Sequence, residues 1–115
     1  MTEAKEMEID IVRHGGCSVV HVHGDINWKT SPELRAAILD LIEKRSQKRV
    51  IVDLQGTSRL DSSGISSFVE ALVAAKKTGA RFILSAMKDS SRRVLELTRL
   101  SSLFETTDTV EQALQ

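Results

Sequence analysis

The chain of 115 residues has no tyrosine, one tryptophan, one cysteine and one proline. A lone cysteine excludes an internal disulfide, which fits a reducing compartment. With aromatics at 3%, the core has to be built from aliphatic side chains. No apolar run approaches the roughly 20 residues of a membrane span. Met1 to Met7 is acidic and polar, unlike a signal peptide, so the chain is expected in the cytoplasm, away from the membrane. Formal net charge is zero, so there is no basic footprint for nucleic acid. There is no internal repeat, linker or low-complexity tract, and the chain reads as one domain over 1–115. Its structured core is expected over about residues 8–114.

What is present is an ordered series of short elements. Ile9, Ile11 and Val12 mark a strand over Met7 to Arg13, His14-Gly15-Gly16 a turn, and Cys17 to His23 a second strand. These two pair as an antiparallel hairpin. After a loop from Gly24 to Thr30, Ser31-Pro32-Glu33 reads as a helix start, with Ser31 as N-cap. Leu34, Ala37, Ile38, Leu41 and Ile42 then recur at helical spacing. Val50 to Leu54 runs apolar without alternating, as in a strand covered on both faces. A helix from Asp61 to Thr78 stops at Gly79, and Arg81 to Ser85 is the next strand. Asp89-Ser90 caps a third helix with Val94, Leu97 and Leu100 inward. Phe104-Glu105-Thr106 is a short edge strand. Asp108 or Thr109 opens a last amphipathic helix, with Gln112 three residues after Thr109 as in a capping box. The fold class is α/β: a mixed sheet of about five strands with about four helices packed mainly on one face, order β-β-α-β-α-β-α-β-α.

The chemistry concentrates at Asp61-Ser62-Ser63-Gly64, where the Val50–Leu54 strand passes through a loop into a helix. Loops at the carboxyl ends of strands form the usual binding surface of such sheets. Asp and Ser are ordinary helix caps. The same position also exposes Ser62 on a rigid helix end, where a phosphate would add about −1.5 to −2 charge.

Enzyme readings fail on missing parts. A nucleophile elbow needs Gly-x-Ser-x-Gly and a later histidine, but Ile65 follows Gly64 and the last histidine is His23. Walker A and Gly-x-Gly-x-x-Gly loops are absent. Asp53 sits where a receiver aspartate would, yet no acidic pair follows the first strand. His21 and His23 share a strand face without a third metal ligand and read as exposed edge-strand residues. Cys17 reads as a small buried hydrophobe. Trp28 is either a lid on the core or an exposed interface anchor, and Met87-Lys88 borders the same surface.

Four segments then form a pattern. They are Gly24-Asp25-Ile26-Asn27 ahead of Ser31-Pro32-Glu33-Leu34-Arg35; Val52-Asp53-Leu54; Leu60-Asp61-Ser62-Ser63-Gly64-Ile65; and Gly79-Ala80-Arg81-Phe82-Ile83-Leu84. In this order, over about Ile9 to Leu114, the chain resembles the STAS-domain anti-sigma factor antagonists (anti-anti-sigma factors). The resemblance implies a single STAS domain without catalysis or cofactor of its own. Ser62 would be phosphorylated by a partner serine kinase that is also an anti-sigma factor. The unphosphorylated form would bind that kinase and release its sigma factor, and a PP2C-type serine phosphatase would reverse the modification. The implied partner face comprises Asp25, Asn27, Trp28, Asp61, Ser62, Ser63, Gly64, Ser66 and Ser67, on a monomer or weak dimer. Two residues depart from the family. Asn27 stands where an acid is usual, and Ser66 replaces a frequent glycine. A scaffold or interaction subunit of another partner-switching system (secretion, motility or stress signalling) is the alternative, and a nucleotide-binding domain is the third reading.

Overall fold

β-Branched residues (Ile9, Ile11, Val12, Val19, Val20 and Val22) build the opening hairpin, β1 (Met7–His14) and β2 (Cys17–Gly24), whose antiparallel pairs run from Met7–Gly24 to His14–Cys17. The computed structural model describes residues 6–115; of the polar start at Met1 to Met7, residues 1–5 lie outside the described residues. β2 pairs in parallel with β3 (Arg49–Gly56), β3 with β4 (Arg81–Ser85), and β4 with β5 (Glu105–Thr107). The sheet order is therefore β1-β2-β3-β4-β5.

That order explains the helices. Each parallel crossover moves to the next strand in the same direction, and right-handed crossovers in a constant direction land on one face. There lie α1 (Ser31–Leu39), α2 (Ser62–Thr78) and α3 (Asp89–Leu97). Leu34, Ile38, Ile65, Phe68, Ala71 and Leu95 from these helices meet Val20, Val22, Val50, Val52, Leu54, Phe82 and Leu84 from the sheet. α4 (Val110–Leu114) follows the last strand and is no crossover. It covers the other face, packing Ala113 on Val19, Ile51 and Ile83. The apolar run Val50 to Val52 follows, since this part of β3 is buried from both sides; Asp53 interrupts the run on the α4 side, where it bonds to His21. The three phenylalanines run in a chain through the larger core, with ring centres 6.1 Å apart for Phe68–Phe82 and 6.4 Å for Phe82–Phe104.

Several element ends differ from expectation. The N-cap of α1 is Thr30, and Ser31 is the first helical residue and buried. α1 continues into a π turn, Asp40–Lys44, and Leu41 and Ile42 both stay in the core. α3 is preceded by Lys88 and has no side-chain cap; Ser90 Oγ bonds instead to Ser58 O at 3.0 Å. Leu97, expected inward, is 77% exposed, because Ser91 and Leu95 are the buried positions of that helix. β2 is an inner strand, so His21 is half-buried and bonded to Asp53; only His23 is exposed. Cys17 is partly exposed and packs on the α4-side cluster. The Thr109–Gln112 capping box forms as read, and Gly79 ends α2 at φ 79°. Glu105, through a hydrogen bond and its charge, holds the Arg81 guanidinium above its ordinary range and clips β4 to β5. No helix among the described residues is long and apolar enough to cross a membrane.

Phe68 is fully buried at the centre of this packing. Phe68→Ala is expected to cost about 3–5 kcal/mol in urea unfolding with an unchanged m-value. A loss below about 1 kcal/mol would place the core elsewhere.

Candidate functional site

Two loops leave the carboxyl ends of neighbouring parallel strands: Asp25 to Thr30 after β2, and Thr57 to Asp61 after β3. Each is mostly polar, although the first also carries Trp28, and each has one aliphatic residue, Ile26 in one and Leu60 in the other. These two side chains turn inward, to 1% and 5% exposure. Their backbones form a one-rung parallel bridge, with Ile26 N donating to Arg59 O at 2.9 Å and Asp61 N donating to Ile26 O at 3.1 Å. The bridge extends the β2–β3 ladder past its irregularity after His21 and fastens the loops side by side.

The first loop then folds around Asn27. Its Oδ1 accepts from Lys29 N at 2.9 Å and Thr30 N at 3.2 Å. Thr30 Oγ1 accepts from Asn27 N at 2.8 Å and donates to Asp25 O at 2.9 Å. This is an Asx-type turn in which the side chain supplies a missing backbone acceptor. Asn27 therefore shapes the loop through its oxygen, a contact that an aspartate would make equally well. At the tip Trp28 is 70% exposed, with the Lys29 ammonium 5.5 Å from its ring centre. The indole is an outward-facing group and not a lid on the core.

The second loop delivers Asp61 as the N-cap of α2, at φ −105° and ψ −175°. Asp61 Oδ1 accepts from Ser63 N at 2.9 Å, from Gly64 N at 3.4 Å and from the Ser63 hydroxyl. One carboxylate oxygen thus occupies the helix end and the second serine together. Ser62 is exposed at the first helical position, and its hydroxyl has no hydrogen-bond partner among the described residues. Ser66, one turn on, is exposed on the same side of the helix. Two expected contact residues face inward. Ser67 is 3% exposed and donates to Ser63 O at 3.1 Å, so it braces the first turn of α2. Gly64 is buried, and a Cβ there would lie 2.4 Å from Leu60 Cδ1 and 2.7 Å from Ile26 Cγ2. Glycine at this point lets the helix start rest directly on the bridge. Lys88 Nζ donates to Ser58 Oγ at 3.3 Å, so the start of α3 also supports the second loop.

The opposite face of the sheet carries a polar row in register across all five strands: Asp10, His21, Asp53, Ser85 and Thr107. It borders an open cavity of about 480 Å³. Its groups are largely taken up by one another. Asp53 Oδ2 meets His21 Nδ1 at 2.7 Å and its Oδ1 accepts from Gln55 N at 3.0 Å, while Ser85 and Thr107 share a 2.7 Å bond. No cluster of metal-ligating side chains occurs among the described residues.

The pairing of Ile26 with Leu60 was not read from the sequence. Its only signal is the single aliphatic residue in each otherwise non-aliphatic loop.

Comparison with known proteins bears on this arrangement. The model of the STAS domain family matches residues 8–113. An anti-sigma-B factor antagonist of Listeria monocytogenes is 27% identical over 103 residues, covering 90% of this chain and 84% of that one. The solved structure of an anti-sigma factor antagonist from Mycobacterium paratuberculosis aligns with a TM-score of 0.83 at 29% identity, over 94% of this chain and 91% of the other. The anti-sigma factor antagonist SpoIIAA in its unphosphorylated form aligns at TM-score 0.81 and 19% identity, covering 93% of each chain, a likeness of fold.

In an ordinary helix, Gly→Ala stabilises by up to about 1 kcal/mol. Gly64→Ala is expected to do the reverse here, costing about 1–3 kcal/mol by overpacking. Amide shifts should centre on Ile26, Leu60 and Asp61. A stabilised variant with unmoved amides would show that the bridge does not constrain the turn.

Proposed function

The chain belongs to the STAS domain family, and from that premise we propose that it is an anti-sigma factor antagonist switched by phosphorylation at Ser62. The observation that carries this reading is the division of labour between the two serines. Asp61 engages the Ser63 hydroxyl and leaves the Ser62 hydroxyl exposed and unbonded among the described residues. In the proposed transfer, Ser62 Oγ attacks the γ-phosphorus of ATP held by a partner serine kinase. The bond from phosphorus to the ADP oxygen breaks, and the hydroxyl proton passes to a base of the kinase. This chain contributes position only, with no catalysis of its own. The unmodified form binds the kinase, which is also the anti-sigma factor, and frees its sigma factor. A PP2C-type phosphatase removes the phosphoryl group and restores binding.

The geometry also supports how the switch would act. Asp61 already satisfies the amides of Ser63 and Gly64. A phosphate on Ser62 therefore finds a carboxylate at the helix end instead of a free nest of donors, and its charge faces outward. The partner contact is built from Trp28 and the exposed side of α2 through Ser66, with Asp25 and Asn27 shaping the loop that presents the indole. Gly64 and Ser67 act from beneath by positioning. The modification acts on the interface and leaves the fold nearly unchanged.

Mixed with its cognate kinase and ATP, the chain should gain the mass of a single phosphoryl group. Ser62→Ala should abolish the gain and Ser63→Ala should keep it; phosphorylation of Ser62→Ala at the parent rate refutes the assignment. In calorimetry, Ser62→Asp should weaken kinase binding by about tenfold or more, that is by at least ~1.4 kcal/mol. Its unfolding free energy should stay within about 0.5 kcal/mol of the parent. Equal affinity of the two forms would remove the switch.

A further inference from the structure

β1 ends the sheet, and its outer edge meets no other strand of the described chain. It is eight residues long, whereas the other edge, β5, has three. A long open edge is a template for another strand unless something guards it. The hairpin turn is two residues, Gly15-Gly16, so its closing pair, His14–Cys17, is hydrogen-bonded. By alternation, Val12, Asp10 and Glu8 also bond to β2. The N–H and C=O groups of Ile9, Ile11 and Arg13 then point outward from the sheet.

The charges on this edge are segregated. Glu8 and Asp10 occupy its first half, Arg13 and His14 its second. A parallel copy would align like charges, while an antiparallel copy reverses the order. We propose that β1 pairs antiparallel with β1 of a second copy of this chain, Ile11 opposite Ile11 across a twofold axis. Ile9 then opposes Arg13, Asp10 opposes Val12 and Glu8 opposes His14 of the other copy. Sliding one pair toward the N-terminus would set Asp10 against Asp10. Sliding the other way would leave Glu8 without its opposite. The chosen register also covers Ile11 and Val12, which are 39% and 37% exposed. Two strands alone bury less than the roughly 1,200 Å² of a standard stable interface, so the dimer is weak and concentration-dependent. β2 separates this edge from β3, so both Ser62 turns stay open, and the proposal stands whether or not Ser62 is phosphorylated.

Two measurements test it. In a Cys17→Ser background, Ile11→Cys should form an intermolecular disulfide on oxidation, because hydrogen-bonded antiparallel partners lie about 5.5 Å apart at Cα, inside the disulfide range. Val12→Cys, set opposite Asp10, should crosslink far less. In sedimentation velocity, the parent mass should rise with concentration. Ile11→Lys, which sets two ammoniums face to face at an exposed position, should lower the association constant by roughly tenfold or more, with an unchanged circular dichroism spectrum. A parent that stays monomeric at its solubility limit overturns the proposal, as does equal crosslinking through Ile11→Cys and Val12→Cys.

Discussion

The contact between Ile26 and Leu60 decides what this surface is. Loops at strand ends are ordinarily the most variable part of an α/β sheet. Here two backbone hydrogen bonds make them one piece, and two apolar side chains anchor that piece to the core. The indole of Trp28 and the hydroxyl of Ser62 each sit two residues beyond a rung of the same bridge. Their relative position is thereby inherited from the sheet and not left to loop conformation. Gly64 belongs to this constraint, because only a residue without Cβ lets α2 begin so close to both anchors.

The handedness of the crossovers sets the rest. Three right-handed connections in one direction pile α1, α2 and α3 on one face and expose the carboxyl ends of β2 and β3 beside the start of α2. Among the described residues the far face has only the short α4 to cover it, over Val19, Ile51 and Ile83. Beyond that cover the sheet turns polar in register. Asp53 ends there tied to His21 and Gln55, which accounts for an acid between the buried Val52 and Leu54.

The elements were legible because their signals are local. Gly79 as a stop, Thr109 with Gln112 as a box, and the unbroken Val50–Val52 run all act within a few residues. The misreadings came from what tertiary contact decides. Ser31 looked like a cap by composition, but the Asn27–Thr30 turn moved the boundary by one residue. Leu97 looked inward by periodicity, yet α3 buries Ser91 and Leu95. His21 looked like an edge residue until the sheet order put β1 outside it. At the site, the tetrapeptide Asp61-Ser62-Ser63-Gly64 named the place but not the division of roles. Which serine Asp61 engages depends on backbone angles at the cap, and the depth of Ser67 and Gly64 depends on what lies beneath the helix.

The exposure of Trp28 has an optical corollary. With no tyrosine in the chain and its only indole at the tip of the bridged loop, near-ultraviolet emission excited at the indole band comes from that single point. The molecule carries a built-in fluorophore at the loop that shares its anchorage with Ser62. Colour and intensity changes during complex formation would report the environment of that loop, free of background from the core.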